Sequence, residues 1–357
     1  MRLSISNIHE FLLDKNLITT KNIVDGDFQA VNHPAGENFF KVEMQPDKKY
    51  LIQQVRSFDE KMTHLFRRGA TALLAISNLD LFSDLKKHIP EFLSFDSEYH
   101  VLINSYLEDY VNLDEYYRYY LKIPDVLYDN LIQIVKKISL PLNSENLLIP
   151  SLSHFPRSKP WILQITESSV AENNELYESN YLIYTVYNHP IFHTFLRSTR
   201  KKWEIKSLIH GDIKWTNFMV HKEHDNHQVY LIDWEMSDIG DPLWDVAGIF
   251  QNIISNIILR NEKELELGYI DCNIELELRD LWEVIGRLWK DYSSRSNVSD
   301  SIQKTLDYTA ARLLQTASEG NKGFQYIRSN VQKILDTSLY LIEKRDFIMN
   351  CIEEERN

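Results

Sequence analysis

The chain has 357 residues, 43% hydrophobic and 12% aromatic, enough apolar material for a substantial core in one large or two lobed domains. Its 39 basic and 52 acidic residues leave a net charge of -13, which argues against a nucleic-acid partner and is compatible with a cationic substrate or peptide. Only Cys272 and Cys351 occur, so a disulfide framework is not expected and a reducing, cytoplasmic compartment is. Glu10 and Asp14 interrupt the apolar stretch of the N-terminus, unlike a signal peptide, and no long uncharged apolar run predicts a membrane span.

In chain order, residues 1 to about 20 read as a short helix, followed by strands at Phe28 to Val31, Phe39 to Met44 and Tyr50 to Val55, the last two joined by a turn at Asp47-Lys48-Lys49. Ser57 to Ile76 reads as a helix, and His100 to Tyr106 as an apolar strand leading to Leu107 and a helix that opens at Asp114-Glu115. Tyr116, Tyr117, Tyr119 and Tyr120 are read as packing rather than as a ligand cage. From Asp125 to Ile138 the apolar positions 127, 131, 132, 134 and 135 predict an amphipathic helix. Residues 139 to 180 carry Pro141, Pro150, Pro156 and Pro160 and read as loops or an insertion that contributes part of an acceptor site. A helix is expected over Phe192 to Lys202, another from Asp245 with Phe250, Ile253, Ile254, Ile257 and Ile258 on one face, and three more over 274 to 294, 300 to 318 and 328 to 348. In the first of these three, Glu275, Glu277, Asp280 and Glu283 fit a solvated face better than a site for a cationic acceptor.

The densest chemistry lies at residues 209 to 250. Phe218 to Val220 and Val229 to Ile232 read as the strands of a hairpin, so Asn217 and Asp233 are expected to face each other at its open end, with Asp212 on the loop that enters it. Two carboxylates and an amide without a cation to pair them are costly, and such oxygen ligands suit Mg2+ held between carboxylate and phosphate.

His210-Gly211-Asp212 with Asn217, then Ile232-Asp233-Trp234-Glu235, then Gly240-Asp241-Pro242 with Asp245, resembles the aminoglycoside phosphotransferase and choline kinase family, the small-molecule branch of the protein-kinase-like fold. The resemblance implies that Asp212 accepts or orients the substrate hydroxyl proton, that Asn217 and Asp233 hold Mg2+ against ATP phosphates, and that Asp245 buttresses the catalytic loop. Lys214 occupies the position of the catalytic-loop lysine of Ser/Thr protein kinases and would neutralise charge on the γ-phosphate. The loop over the phosphates would be His33 to Asn38, with the single Gly36; an ordinary hairpin turn is the competing reading. Adenine would bond to backbone around Tyr106 and Leu107. The sequence departs from the family on the third strand, where Gln53 stands in the place of a phosphate-pairing lysine; a neutral donor contributes about half of a charged contact. Arg68 offers a relocated cation, against the plainer reading of Arg67 and Arg68 as solvent-facing.

Two other constellations are weaker. His221, His224 and His227 with Asp225 lie in a short turn that closes no coordination shell, and no G-x-S-x-G elbow supports a hydrolase. The expectation is therefore an α+β, bilobed protein-kinase-like fold with a small β-rich N-lobe at 1–106 and a larger, mainly helical C-lobe at 107–357. Its expected function is transfer of the γ-phosphate of ATP to a hydroxyl of a small molecule, with Mg2+ as cofactor. Transfer to Ser/Thr of a peptide, and a nucleotide-binding pseudokinase that scaffolds a partner enzyme, are the alternatives.

Overall fold

The computed structural model describes residues 1–34, 36, 38–44, 48–166, 181–223, 226–266, 274–294 and 302–354, without the side chains of 260–280 and 353–354. Ala35, Glu37, Asp47, residues 167–180, His224, Asp225 and the side chains of Glu275, Glu277 and Asp280 lie outside the described residues. The chain divides into two compact units, one of Met1–Lys122, Glu145–Phe155 and Thr216–Ser237, the other of Ile123–Ser144, Pro156–Trp215 and Asp238–Asn357.

The first unit is built on an antiparallel sheet of β1 (Phe28–Asn32), β2 (Phe39–Met44), β3 (Lys48–Gln54), β4 (Phe92–Asp96) and β5 (Val101–Ser105), in the order β1-β2-β3-β5-β4. Alternation decides its faces: Phe40 and Val42 of β2 and Ile52 of β3 are buried, whereas Lys41, Leu51 and Gln53 fall on the half-exposed side. The buried row packs on Ile8, Phe11 and Leu12 of α1 (Ile8–Asp14) and on Val101 and Ile103. Removing each such side chain from water stabilises the unit by roughly 1.5–3 kcal/mol. The expected single N-terminal helix is two, because Asn16 turns left-handed (φ 56°) and Thr19 opens α2 (Thr20–Val24) with a capping box to Asn22.

Helix α3 (Glu60–Asn78) starts three residues later than Ser57, at the point where the Asp59 carboxylate accepts from the Met62 N–H at 2.9 Å. A second, three-stranded sheet joins β6 (Tyr110–Asn112), β8 (Phe218–His221) and β9 (Val229–Leu231), with α4 (Leu113–Tyr120) packed beside it. Tyr116 of α4 is buried, as a packing role requires, but Tyr119 is 79% exposed.

The second unit is mainly helical. It holds α5 (Asp125–Ile138), as its apolar period predicts, then the one-turn α7 (Trp161–Gln164), α8 (Tyr181–Asn188) and α9 (Pro190–Lys201); the one-turn α6 (Pro150–Ser153) belongs to the first unit. A two-stranded ribbon follows, β7 (Ser207–Ile209) with β10 (Asp238–Gly240). Then come α10 (Leu243–Glu266), α11 (Ile274–Ser293), α12 (Ile302–Gly320), α13 (Ser329–Glu343) and α14 (Arg345–Glu354). The expected helix over 328 to 348 is broken at Lys344 into α13 and α14. Helix α12 is the axis of the unit, packed by α10 and α13 and buried from Thr305 to Leu314. Around it Trp203, Trp244 and Tyr308 meet edge to face at 5.7–5.9 Å. Glu283 of α11 is exposed, which agrees with a solvated face.

Candidate active site

In the second unit, β7 delivers the chain to His210 and the loop that follows it. Gly211 sits at φ 81°, a left-handed conformation that disfavours a side chain and turns the loop sharply. The buried Asp245 carboxylate at the start of α10 accepts the N–H groups of His210 at 2.6 Å and of Gly211 at 3.0 Å, which is the buttress that the Gly-Asp-Pro pattern implies. Asn252, two turns further along α10, accepts the Trp215 N–H at 3.1 Å and donates to the Ile213 carbonyl at 3.1 Å. Trp244 Nε1 donates to the Gly211 carbonyl at 3.2 Å. The imidazole of His210 is fully buried and its Nδ1 accepts from the Asp212 N–H at 3.3 Å, a structural prop.

On this scaffold the Asp212 carboxylate takes the Lys214 ammonium at 2.6 Å. Burial pushes the Asp212 carboxyl up, but Lys214, Arg312 and His210 outweigh it and hold it below the usual aspartate range, so it is ionised at neutral pH. Burial likewise pushes Asp245 up, against the bonds from His210 and Gly211. Arg312 of α12, 4% exposed, donates to the carbonyls of Ile213 at 2.7 Å and Gly211 at 3.4 Å, with its guanidinium 5.0 Å above the Trp244 ring. The sequence reading missed Arg312 and Asn252; the available signal was one arginine inside the apolar stretch Ala310-Ala311-Arg312-Leu313-Leu314.

In the first unit, the hairpin of β8 and β9 forms as expected but in a register shifted by one. Phe218 pairs with Leu231, and the Ile232 N–H donates to the Asn217 carbonyl at 2.9 Å, so Ile232 lies opposite Asn217 and Asp233 follows it. Asn217 is buried; Asp233 is exposed and held at φ 64°, ψ 65°. Both offer hard oxygen donors. Among the described residues no group of three or more His, Cys, Asp or Glu side chains is placed to hold a metal.

Gln53 lies on the half-exposed face of β3, opposite Phe39, while its neighbour Gln54 is buried and donates to the carbonyls of Met1 and Tyr99 and accepts from the Leu3 N–H. Arg67 is exposed; Arg68 is half-buried, its Nε donating to the Glu235 carbonyl at 2.8 Å, two residues beyond Asp233. The Tyr106 N–H is engaged by the Lys49 carbonyl at 3.0 Å, and its ring meets His33 edge-on with the Lys41 ammonium 4.6 Å above it. An open depression of about 710 Å³ beside Leu3, His33, Gly36 and Phe40 includes none of Gln53, Asn217 and Asp233.

Residues 180–265 match the model of the phosphotransferase enzyme family. That stretch includes every motif from His210 to Asp245 on which the resemblance was read. The whole chain aligns with a choline kinase from Cryptosporidium parvum (14% identical, 99% of this chain and 100% of that one, TM-score 0.52). It aligns also with the choline kinase LicA from Streptococcus pneumoniae (17%, 93% and 99%, 0.50) and with an ADP-bound aminoglycoside phosphotransferase (12%, 94% and 98%, 0.50). The fold is protein-kinase-like, α+β, with a sheet in its N-terminal part and helices in its C-terminal part. No curated protein sequence matches significantly. Among the described residues no helix is long and apolar enough to cross a membrane.

Proposed function

We propose that this chain is a phosphotransferase that moves the γ-phosphate of ATP to a hydroxyl of a small molecule, with a cationic acceptor suited to its net charge of -13. The observation that carries this reading is the loop 210–215, where an ionised Asp212 is paired with Lys214 on a backbone clamped by Asp245, Asn252 and Arg312. Phosphoryl transfer asks little covalent chemistry of a protein; it needs positioned groups and neutralised charge. Asp212 orients the acceptor hydroxyl and takes its proton, and Lys214 follows the charge of the transferring phosphate. Asn217 and Asp233 would hold Mg2+ through their side-chain oxygens, and the ion would supply positive charge against the phosphates. Residues 1–106 serve the nucleotide, with Gln53 and Arg68 toward its phosphates and the backbone at Tyr106 and Leu107 toward its base, while 107–357 serve transfer and the acceptor. The ADP-bound relative supports nucleotide use.

Asp212→Asn is expected to abolish transfer while ADP affinity stays within about twofold, since Asp212 acts on the acceptor hydroxyl and not on the nucleotide. Full turnover by this variant would reject Asp212 as the base. Consumption of ATP with amino alcohols or aminoglycosides supports the small-molecule reading; transfer to Ser/Thr peptides alone, or ATP binding without any consumption, refutes it.

A further inference from the structure

We propose that Arg312 is a positioning residue for the reaction: it locks the two carbonyls that flank Asp212 and remains the fixed counterion of that carboxylate while Lys214 turns to the transferring phosphate. This rests on the reading of Asp212 as the base. Arg312 is 4% exposed, and Ala310, Ala311, Leu313 and Leu314 around it on α12 are buried too. Taking a guanidinium out of water costs several kcal/mol, and a hydrophobic residue of similar volume often serves stability as well or better. The hydrogen bonds of Arg312 go to neutral acceptors, the carbonyls of Gly211 and Ile213, and its Nε has no partner among the described residues. Stacking on Trp244 at 5.0 Å offsets part of the cost. Asp212, Asp245 and Glu319 favour its charge, but burial outweighs them and holds the guanidinium below the usual arginine range, so stability alone does not account for an arginine here.

The two cations that act on Asp212 are built differently. Lys214 is a point charge on a flexible stem with a side chain 45% exposed, and such a cation can exchange its carboxylate for a phosphate oxygen. Arg312 is enclosed, forked onto main chain and stacked, so it cannot follow. When Lys214 leaves, burial alone would favour the protonated acid, and Asp212 would lose its capacity to accept a proton. Arg312 prevents this. The groups that face Asp212 are Lys214 and His210 from its own loop and Arg312 from α12, with Asp245 of α10 bonded to the same loop.

The test compares the full-length chain with its Arg312→Met and Arg312→Lys variants. The Asp212 carboxyl is followed by ¹³C NMR during a pH titration and identified by its loss in Asp212→Asn; this readout needs no turnover. In Arg312→Met its midpoint is expected to rise, and in Arg312→Lys to stay near that of the unaltered chain. ADP release is expected to fall roughly 30–100-fold in Arg312→Met, with KM for ATP changed by less than about twofold. An unchanged Asp212 midpoint in folded Arg312→Met overturns the proposal. So does the unfolding of Arg312→Lys, which keeps the charge, because that outcome makes the residue purely structural. Absence of ADP release from the unaltered chain with every acceptor refutes the phosphotransferase reading instead, and leaves the NMR comparison to decide the place of Arg312 beside Asp212.

Discussion

Gly248 of α10 separates a stability argument from an activity argument. A Cβ built at this glycine would lie 2.7 Å from the Ile213 Cβ, 3.0 Å from its Cγ2 and 3.1 Å from the Arg312 Cζ. In its favour, Gly→Ala inside a helix gains up to about 1 kcal/mol of intrinsic propensity. Against it, carbon atoms prefer about 3.5–4.0 Å, so a retreat of roughly 1 Å is required. The end of a flexible side chain could absorb that; a Cβ cannot, because it moves with its own backbone. Overpacking of this kind costs about 1–3 kcal/mol, so Gly248→Ala should lose about 0–2 kcal/mol net. The larger effect falls on activity. Ile213 adjoins Asp212, and a misplacement of about 1 Å at a reacting group can cost about 100-fold in rate. Urea unfolding and kcat for ADP release measure the two effects side by side. A variant that is more stable and fully active would show that propensity alone governs the site, and would refute the tight packing of α10 on the catalytic loop.

Two further outcomes follow from buried polar groups. Gln54→Leu strips partners from the Leu3 N–H and the Met1 and Tyr99 carbonyls, and should lower stability by about 2–3 kcal/mol at an unchanged urea m-value. Because the folded-state pKa of Asp212 is depressed, its contribution to stability is fully present above the ordinary aspartate range, near about 3.9, and is lost as pH falls through the folded value. The stability deficit of Asp212→Asn should therefore be largest near neutrality and shrink in acid; a deficit that grows on acidification would contradict the sign.

Where one periodicity dominated, the sequence was readable almost to the residue. Asp125 to Ile138 and Phe39 to Met44 are found as read, since a run of buried positions at helical or alternate spacing has one way to face a core. Strand β4 escaped because all five of its residues are half-buried and no alternation marks them, and β7 and β10 because three residues are too few for a pattern. The hairpin after Asn217 was recognisable but its register was not, as turn geometry, rather than composition, selects which residues pair. The chemistry of Asp212 and Lys214 lies two residues apart in the chain and could be read locally, while Arg312 lies about a hundred residues downstream and joins the loop only through packing.

Asp233 carries a cost of another kind. Its backbone is held at φ 64°, ψ 65°, a region that favours glycine and that asparagine and aspartate tolerate better than other side chains. Selection for endurance alone would drift such a site toward glycine and gain on the order of 1 kcal/mol. A lineage that ceased to need a carboxylate here would thus find its loss rewarded rather than neutral. An aspartate at this backbone therefore answers a demand that stability does not make.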